Sequence, residues 1–275
     1  MAARSYQSLV EESVRFLQGS IPQFPTIAIV SGTGLDALST GVEIEQEISF
    51  SAIPNFPVST VKSHESSLVF GKIAGKSAVL LRGRVHLYEG YDAKTVTLST
   101  RVLALCGIKT LILSNASGAM NPQYRSGDIM LISDHINMMG SNPLEGANVD
   151  AWGPRFPDMS DPYNAQLRKV ARKTANDLSI PLHEGVYVSV VGPNLETKAE
   201  YTMLRLMGAD VVGMSTVPEV LAARHMGVKI LAFSVVTDEC FPDTLQPISL
   251  EDVLRAAKKA SPKLITLLKH IIPAI

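Results

Sequence analysis

Short apolar runs alternate with amphipathic segments through most of this chain. The runs are rich in β-branched residues, as expected for buried strands, whereas the amphipathic segments repeat their apolar positions at helical spacing. The first segment, Tyr6–Leu17, predicts a helix that ends before Gly19. Further helices are predicted at Ala93–Ala104, Asn164–Leu178, Lys198–Met207, Pro218–His225 and from Ser249 onward.

The apolar runs predict the strands of one sheet. Ser67–Ile73 and Ser77–Arg82 flank an Ala-Gly-Lys turn and predict a hairpin, so some antiparallel pairing is expected. The alternation predicts a single α/β domain over residues 1–275, with a twisted, mixed, mostly parallel sheet flanked by helices. Ser133–Tyr163 is predicted to be irregular. Its length exceeds that of ordinary connecting loops, so a functional role is expected. The other predicted strands are Thr26–Val30, Thr110–Leu113, Asp128–Ile132, Gly185–Val191, Asp210–Met214 and Lys229–Val236.

Polar or glycine-rich segments follow five of these runs. Because the carboxyl ends of parallel strands meet at one edge of a sheet, we expect these segments to form a site together. The segments are Ser31–Leu35, Ser114–Gly118, Gly192–Thr197, Gly213–Thr216 and Thr237–Glu239.

Charge and composition exclude several classes of partner. A formal net charge of −1 provides no broad basic field, so neither nucleic acid nor an anionic membrane is an expected partner. The N-terminus carries Glu11 and Glu12 without an apolar signal region, and Leu264–Ile275 is too short for a membrane span, which predicts a cytoplasmic protein. Cys106 and Cys240 lack C-x-x-C spacing, and the histidines lack metal-ligand spacing, so no metal or other cofactor is expected.

The turn Ser31-Gly32-Thr33-Gly34 admits three interpretations. Its backbone N–H groups and the Thr33 hydroxyl suit an anion. It also fits a plain structural turn, and through Ala37 it matches the G-x-G-x-x-A pattern of dinucleotide sites. A nicotinamide site requires a crossover helix after the turn, and the sequence leaves little room for one.

The segment from Arg82 to Tyr91 concentrates hydrogen-bond donors. In an extended backbone Arg84, His86 and Tyr88 share one face, which suits a phosphate held by guanidinium and imidazole with the phenol reaching a sugar. The alternative is a solvated loop with a packed tyrosine. His64 is either a second donor to the same anion or a surface histidine.

Seven ordered motifs, spread over nearly the whole chain, resemble the trimeric purine nucleoside phosphorylases. They are Gly32–Leu35, Arg84–Tyr91, Asn115–Gly118, Gly127–Asn137, Arg155–Ser160, Gly192–Thr197 and Gly213–Val220.

The resemblance implies the nucleoside phosphorylase fold, with a partly barrel-like sheet. It implies phosphorolysis of purine (2'-deoxy)ribonucleosides to the free base and (deoxy)ribose 1-phosphate, with inorganic phosphate as co-substrate. It also implies a homotrimer in which Phe156 covers the ribose of a neighbouring subunit's site, and catalytic roles for His86, Glu196 and Asp238. The implied phosphate site comprises Thr33, His64, Arg84, His86, Ala116 and Ser215; the ribose site Tyr88, Met214 and Leu250; and the base site Ala116, Ser117, Gly118, Leu195, Glu196 and Asp238.

Two positions depart from the family pattern. Asp238 replaces the asparagine of many 6-oxopurine-specific members, and Leu250 lies where a histidine often contacts the ribose 5'-hydroxyl. Inosine and guanosine are the expected substrates, with some cleavage of adenosine. The alternatives are a methylthioadenosine-type phosphorylase, a nicotinamide-dependent oxidoreductase and a non-catalytic nucleoside-binding protein.

Overall fold

The computed structural model describes residues 4–32, 36–61 and 65–275. The helices of this part of the chain are α1 (Tyr6–Ser20), α2 (Ala93–Val96), α3 (Leu98–Cys106), α4 (Ala165–Asp177), α5 (Lys198–Leu206), α6 (Val217–His225) and α7 (Leu250–Ile271). Its strands are β1 (Ile27–Ser31), β2 (Glu43–Ser49), β3 (Ser67–Ile73), β4 (Lys76–Arg82), β5 (Thr110–Ala119), β6 (Ile129–Asn137), β7 (His183–Ser189), β8 (Val211–Gly213) and β9 (Lys229–Glu239).

The strands form one mixed sheet in the order β2-β3-β4-β1-β5-β8-β7-β6-β9, and β5 also pairs with β9. This extra pairing closes β5, β8, β7, β6 and β9 into a ring, while β2, β3, β4 and β1 extend from it as an open sheet. Strands β4, β1, β5 and β9 are neighbours that run parallel to one another. The prediction of a mixed, partly barrel-like sheet with flanking helices is confirmed.

Strand residues alternate between two apolar layers. In β1, Ala28 and Val30 belong to the layer that contains α1, α3 and α6. Ile27 and Ile29 belong to the layer that contains α4 and α7. Both faces of the strand are therefore covered, which explains why its sequence is apolar throughout rather than alternating with polar residues. A third, smaller apolar cluster lies beneath α5.

Two polar segments that were predicted to leave the sheet instead continue its strands. Ser114–Gly118 belongs to β5 and Thr237–Glu239 belongs to β9, and the two strands pair in parallel along these ends. Both backbone and side-chain hydrogen bonds satisfy these buried polar side chains. The Ser114 hydroxyl donates to the Val30 carbonyl oxygen over 3.0 Å, and the Asn115 amide donates to the Thr216 hydroxyl over 2.8 Å. Tertiary pairing thus overrides the weak strand propensity of serine and asparagine.

Other boundaries also differ from the prediction. β6 extends to Asn137, so the irregular segment starts later than expected. The predicted helix Ala93–Ala104 is two helices that meet at Thr97, whose hydroxyl donates to the Ala93 carbonyl oxygen and competes with the backbone. β2, for which no bounds were predicted, lies at the edge of the sheet with most of its side chains exposed. In the described residues no helix has both the length and the apolarity needed to span a membrane.

Candidate active site

The carboxyl ends of the parallel strands β4, β1, β5 and β9 open onto a cavity of about 430 Å³. Arg84 and His86 lie at one end, which we call the basic end. Glu196 and Asp238 lie at the other, which we call the acidic end. This is the edge of the sheet at which ligands bind in open α/β folds, and the volume suits a small organic ligand.

Most of the residues predicted for the site line this single cavity. Thr33 and His64 lie outside the described residues, although Gly32 and Val61 near them line the cavity. Phe156 does not line it; its side chain is 87% exposed. The predicted residues that line the cavity are Arg84, His86, Tyr88, Ala116, Ser117, Gly118, Leu195, Glu196, Met214, Ser215, Asp238 and Leu250.

Arg84 is held by acceptors from distant parts of the chain. Its Nη1 donates to the hydroxyls of Ser215 (3.0 Å) and Thr216 (3.1 Å), and its Nη2 donates to the Ser114 carbonyl oxygen (2.7 Å). Nη1 also lies 3.3 Å from a Glu219 carboxylate oxygen, and both side chains are at least 94% buried. These contacts fix the plane of the guanidinium at the basic end.

Thr216 and Glu219 were not assigned a role from the sequence. Thr216 adopts φ +70°, which is rare for a β-branched residue, and it precedes α6. Its hydroxyl contacts Arg84 and accepts from the Asn115 side-chain amide at 2.8 Å. The strained backbone therefore places the Thr216 hydroxyl between β5 and the Arg84 guanidinium. The sequence did not indicate this role, because a positive φ at a threonine cannot be predicted from sequence.

His86 is oriented by Glu89, three residues further along the loop. A Glu89 carboxylate oxygen accepts from the His86 backbone N–H and lies 2.9 Å from Nδ1. The other Glu89 oxygen accepts from the Thr60 backbone and hydroxyl and from the Ser59 hydroxyl. Although burial opposes it, hydrogen bonding from His86 and Thr60 lowers the pKa of Glu89 to about 2, so the imidazole is held against a permanent negative charge.

Tyr88 lines the middle of the cavity beside His86. The two rings stack with centroids 4.6 Å apart and planes 13° from parallel. Burial raises the pKa of Tyr88 to about 12, so its phenol remains a neutral hydrogen-bond donor at physiological pH. The predicted common face of Arg84, His86 and Tyr88 is therefore realised as a common cavity wall.

At the acidic end, an irregularity in the sheet directs Asp238 into the cavity. Ser117 of β5 is opposite Val236, but Gly118 is opposite Asp238, so Thr237 is an extra residue in β9. Such bulges redirect the side chains that follow them. The Thr237 hydroxyl lies 3.1 Å from the Ser117 carbonyl oxygen and 2.7 Å from Asp238 Oδ1. The Cys240 thiol donates to Asp238 Oδ2 over 3.0 Å.

Glu196 lies across the acidic end from Asp238, in the loop between β7 and α5. Burial raises its pKa, and the charge of Asp238 adds to the shift, while a hydrogen bond from the Tyr201 hydroxyl acts against it. Tyr201, on α5, is 3% exposed and also lines the cavity. Tyr201 and Cys240 carried no motif, so nothing in the sequence marked them as part of the site.

Two glycines keep the cavity open where strands approach closely. A Cβ atom on Gly32 would lie 2.6 Å from the Ser114 carbonyl oxygen. A Cβ atom on Gly118 would lie 3.0 Å from Asp238 Oδ2 and closer still to Cys240. A side chain at Gly32 would displace the backbone of β5, and a side chain at Gly118 would displace the Cys240 and Asp238 side chains from the cavity wall.

The described residues that follow β1 lack the crossover helix of a dinucleotide site. A 3-10 turn at Asp36–Gly41 follows β1, rather than the crossover helix that such a site needs. In the described ranges 4–32, 36–61 and 65–275, no group of three or more side chains could hold a metal ion.

Comparison with known proteins agrees with this geometry. The chain matches the family model of the phosphorylase superfamily over residues 26–273. It is 43% identical to purine nucleoside phosphorylase 1 of Geobacillus stearothermophilus over 97% of both chains. It is also 43% identical to the purine nucleoside phosphorylase of Bos taurus, over 96% of this chain and 94% of the relative.

Solved structures of two similar proteins share the fold. One is a schistosoma purine nucleoside phosphorylase in complex with hypoxanthine, with a TM-score of 0.92 and 39% identity over 98% of both chains. The other is the Schistosoma mansoni purine nucleoside phosphorylase in complex with adenosine, with a TM-score of 0.90 and 40% identity over 96% of this chain and 95% of that one. The chain therefore belongs to the phosphorylase superfamily and, within it, to the purine nucleoside phosphorylases.

Proposed function

We propose that this protein cleaves purine (2'-deoxy)ribonucleosides with inorganic phosphate, releasing the free base and (deoxy)ribose 1-phosphate. One observation carries the proposal: a single cavity joins Arg84 and His86 at its basic end to Glu196 and Asp238 at its acidic end. A nucleoside that spans the cavity places its base between the carboxyl groups and its anomeric carbon near the phosphate.

The basic end would bind and position phosphate. Cleavage of an N-glycosidic bond develops positive charge on the ribose, which a phosphate beside the anomeric carbon stabilises and then captures. Arg84 and His86 would provide charge, Ser215 a hydroxyl and Ala116 a backbone N–H. Thr33 and His64 complete the proposed set through the family resemblance. Because phosphate itself attacks the sugar, no serine or cysteine nucleophile is needed.

The acidic end would bind the purine and stabilise its departure as an anion. An ionised Glu196 accepts a hydrogen bond from N1–H of a 6-oxopurine. O6 and N7 of that base are acceptors, so Asp238 must carry a proton to donate to either of them. Inosine and guanosine are the proposed main substrates, with adenosine as a slower one. Related schistosome enzymes have been solved in complex with hypoxanthine and with adenosine, which supports the proposal that the cavity accepts both 6-oxopurines and 6-aminopurines.

The ribose would lie between the two ends, against Tyr88, Met214 and Leu250. Leu250 is the first residue of α7 and is 60% exposed at the cavity mouth. Its apolar side chain suits a 5'-methylthio group as well as a 5'-hydroxyl. This residue and Asp238 favour methylthioadenosine-type phosphorolysis as the second candidate function.

We also propose that the active assembly is a homotrimer in which Phe156 completes the site of a neighbouring subunit. Phe156 is the most exposed of the large apolar side chains and has the Arg155 guanidinium 5.6 Å from its ring centroid. Packing against the ribose of a neighbouring site would bury this ring, which is the contact that the family resemblance implies. Both cysteines are buried free thiols, which is consistent with a reducing compartment such as the cytoplasm.

The deciding experiment measures base release from inosine, guanosine, adenosine, xanthosine and methylthioadenosine, each with and without phosphate. We expect release from inosine and guanosine to require phosphate and to yield the sugar 1-phosphate. Equal rates without phosphate would indicate a hydrolase, and faster cleavage of methylthioadenosine would favour the second candidate. A fluorescence titration with a nicotinamide cofactor should show no binding.

A further inference from the structure

Phe156 lies on an irregular stretch between β6 and α4, and we call residues 148–158 of it the Phe156 segment. The segment packs against His225, the last residue of α6. The His225 Nε2 atom lies 3.2 Å from Asn148 Oδ1, and Asn148 Nδ2 donates to the Gly153 carbonyl oxygen over 3.0 Å. His225 therefore holds the side chain that closes the turn leading to Phe156.

A second contact fixes the segment beyond Phe156. The Arg224 Nε atom donates to the Asp158 carbonyl oxygen over 3.1 Å. At Gly153 an added Cβ atom would collide with the His225 carbonyl oxygen, so the segment and the end of α6 touch there through their backbones. Consecutive residues of one helix thus position the chain on both sides of the exposed ring.

The other nitrogen of the His225 ring meets Arg101 of α3, which is 3% exposed. Arg101 Nη1 lies 3.1 Å from His225 Nδ1, and the guanidinium carbon lies 4.9 Å from the centroid of the Trp152 ring. No carboxylate of the described residues forms an ion pair with this arginine. A buried cation without a counter-ion depends on neutral acceptors and aromatic faces for its stabilisation.

These contacts specify one protonation state of His225. A guanidinium only donates hydrogen bonds, so Nδ1 must accept from Arg101 and carries no proton. Asn148 Nδ2 is directed at the Gly153 carbonyl oxygen and at Asp150, so Asn148 Oδ1 accepts from Nε2–H. A protonated ring would place an N–H group against the guanidinium. Burial and the charge of Arg101 lower the pKa of His225 in agreement with this geometry.

The surrounding groups do not favour a second proton on His225. Lys94 of α2, which faces the irregular stretch at Gly146, and Arg224 of α6 add positive charge. The Tyr6 phenol of α1 remains neutral, because burial raises its pKa. The acidic side chains that accompany these groups are exposed to solvent and therefore screened; they are Asp92, Asp150 and Asp158.

We propose that His225, held in its neutral form by Arg101 and Asn148, is a positioning residue that places Phe156 for the ribose of a neighbouring site, and that protonation of its ring releases the Phe156 segment. The inference rests on the proposed function, because it requires the proposed shared site. A chain in which the segment is released binds the proton at the ordinary histidine pKa of 6.5. The positioning is therefore complete above pH 6.5 and weakens as the pH falls below that value.

Two substitutions of His225 should have different outcomes. His225→Leu removes both hydrogen bonds, so KM for inosine should rise by up to about tenfold, as for loss of the Phe156 contact itself, while kcat/KM for phosphate at saturating inosine stays within about twofold. His225→Gln offers an acceptor to Arg101 and a donor to Asn148 without a titratable group. Its KM for inosine at pH 7.5 should stay within about twofold of the wild type.

A double variant shows whether the effect passes through Phe156. Adding His225→Leu to Phe156→Ala should change KM for inosine by less than about twofold. His183→Leu is the control and should leave KM unchanged, because His183 contacts Asp128 away from the segment. Independent, multiplied effects in the double variant overturn the inference, as do equal losses toward inosine and phosphate in His225→Leu. A Phe156→Ala variant with the KM of the wild type would instead contradict the proposed shared site.

The pH dependence provides a separate test. Between pH 7.5 and pH 5, KM for inosine should rise at least about twofold more in the wild type than in His225→Gln. An equal rise in both proteins overturns the inference.

A measurement on the wild-type protein depends on neither folding of the variants nor activity. In NMR spectra of protein with ¹⁵N-labelled histidine, the His225 signals are those absent from His225→Gln. We expect the proton on Nε2 at pH 7.5 and titration of the ring below pH 6.5. A proton on Nδ1, or titration at or above pH 6.5, overturns the inference. A wild-type protein that fails to cleave inosine with phosphate would instead contradict the proposed function.

Discussion

The basic and acidic ends of the cavity are built in different ways. At the basic end, Arg84 is almost fully buried and its contacts come from β5 and from the start of α6. At the acidic end, Glu196 and Asp238 are half-buried; one projects from a loop and the other follows a bulge. In the proposed reaction, the end that would bind the phosphate common to all substrates is thus the more tightly fixed, and the end that would bind the variable base is the more easily altered.

The difference also concerns charge. The basic end balances Arg84 with Glu219 inside the protein, whereas the acidic end leaves two carboxyl groups facing each other across the ligand space. Removing one member of a buried ion pair leaves an uncompensated charge and is strongly destabilising. Changes at the basic end should therefore affect all substrates, and changes at the acidic end should mainly affect the choice among them.

The largest effect is expected at Arg84. In Arg84→Lys the positive charge beside Glu219 remains, but the planar set of donors is lost. We expect kcat/KM for phosphate to fall by about 10²- to 10³-fold, with inosine and adenosine equally affected. Steady-state kinetics at varied phosphate would measure this. Arg82→Lys is the matched control, because Arg82 contacts Glu47 and Glu65 away from the cavity; equal losses in both variants would contradict the assignment.

Protonation of Glu89 at acidic pH is expected to lower the stability of the fold. Its pKa falls from 4.5 in the unfolded chain to about 2 in the fold, despite burial, because His86 and Thr60 donate hydrogen bonds to it. The ionised group stabilises the fold by about 3 kcal/mol above pH 4.5, and this contribution is lost as the pH falls toward 2. Urea unfolding of the wild type and Glu89→Gln should differ by this amount at pH 7 and converge near pH 2. If the difference in unfolding free energy between the two proteins were the same at pH 7 and pH 2, the ionisation of Glu89 would not contribute to stability as proposed.

At the acidic end, Asp238→Asn is expected to change selectivity more than rate. The amide donates to O6 or N7 without having to bind a proton, so the ratio of kcat/KM for inosine to that for adenosine should rise about tenfold. Glu239→Gln removes the same charge one residue later, outside this cavity, and serves as the control. An unchanged ratio in Asp238→Asn would mean that this residue does not contact the base.

The smallest effect is expected at Phe156, which belongs to neither end of its own cavity. Phe156→Ala should raise KM for inosine by up to about tenfold, consistent with the loss of one aromatic contact. In the proposed trimer, an equal mixture of Phe156→Ala and Arg84→Lys subunits would give about a quarter of the sites both an intact Arg84 and a neighbour's Phe156. At inosine concentrations well below KM, an effect of about tenfold for Phe156→Ala therefore predicts more activity in the mixture than in either variant alone. No recovery on mixing would argue against a shared site.

The sequence predicts the sheet better than it predicts how the sheet closes. Buried runs such as Ile27–Val30 are apolar throughout, and this local signal is sufficient to locate strands. The polar ends of β5 and β9 were predicted as loops, because their stability comes from pairing with each other over more than 100 residues of intervening chain. Only the family resemblance indicated a partly barrel-like sheet, since ring closure depends on such distant pairings.

The residues of the site were likewise predicted only where they are close together in the sequence. Arg84, His86 and Tyr88 were identified because they are concentrated in one short segment. The residues Thr216 and Glu219, which support Arg84, lie more than 125 positions further along the chain and belong to no dense cluster of donors. Supporting contacts of this kind depend on tertiary structure, so they become visible only once the strands are assembled.

The closed ring also limits how copies of this protein can associate wrongly. Because β9 pairs back onto β5, the edge of the sheet left without a strand partner in the described residues is the outer side of β2. That strand carries Glu43, Glu45 and Glu47 at alternate positions. Glu45 and Glu47 also form ion pairs with Lys72 and Arg82 of the same sheet. Charged side chains on an edge strand oppose the strand-to-strand pairing through which exposed sheets aggregate.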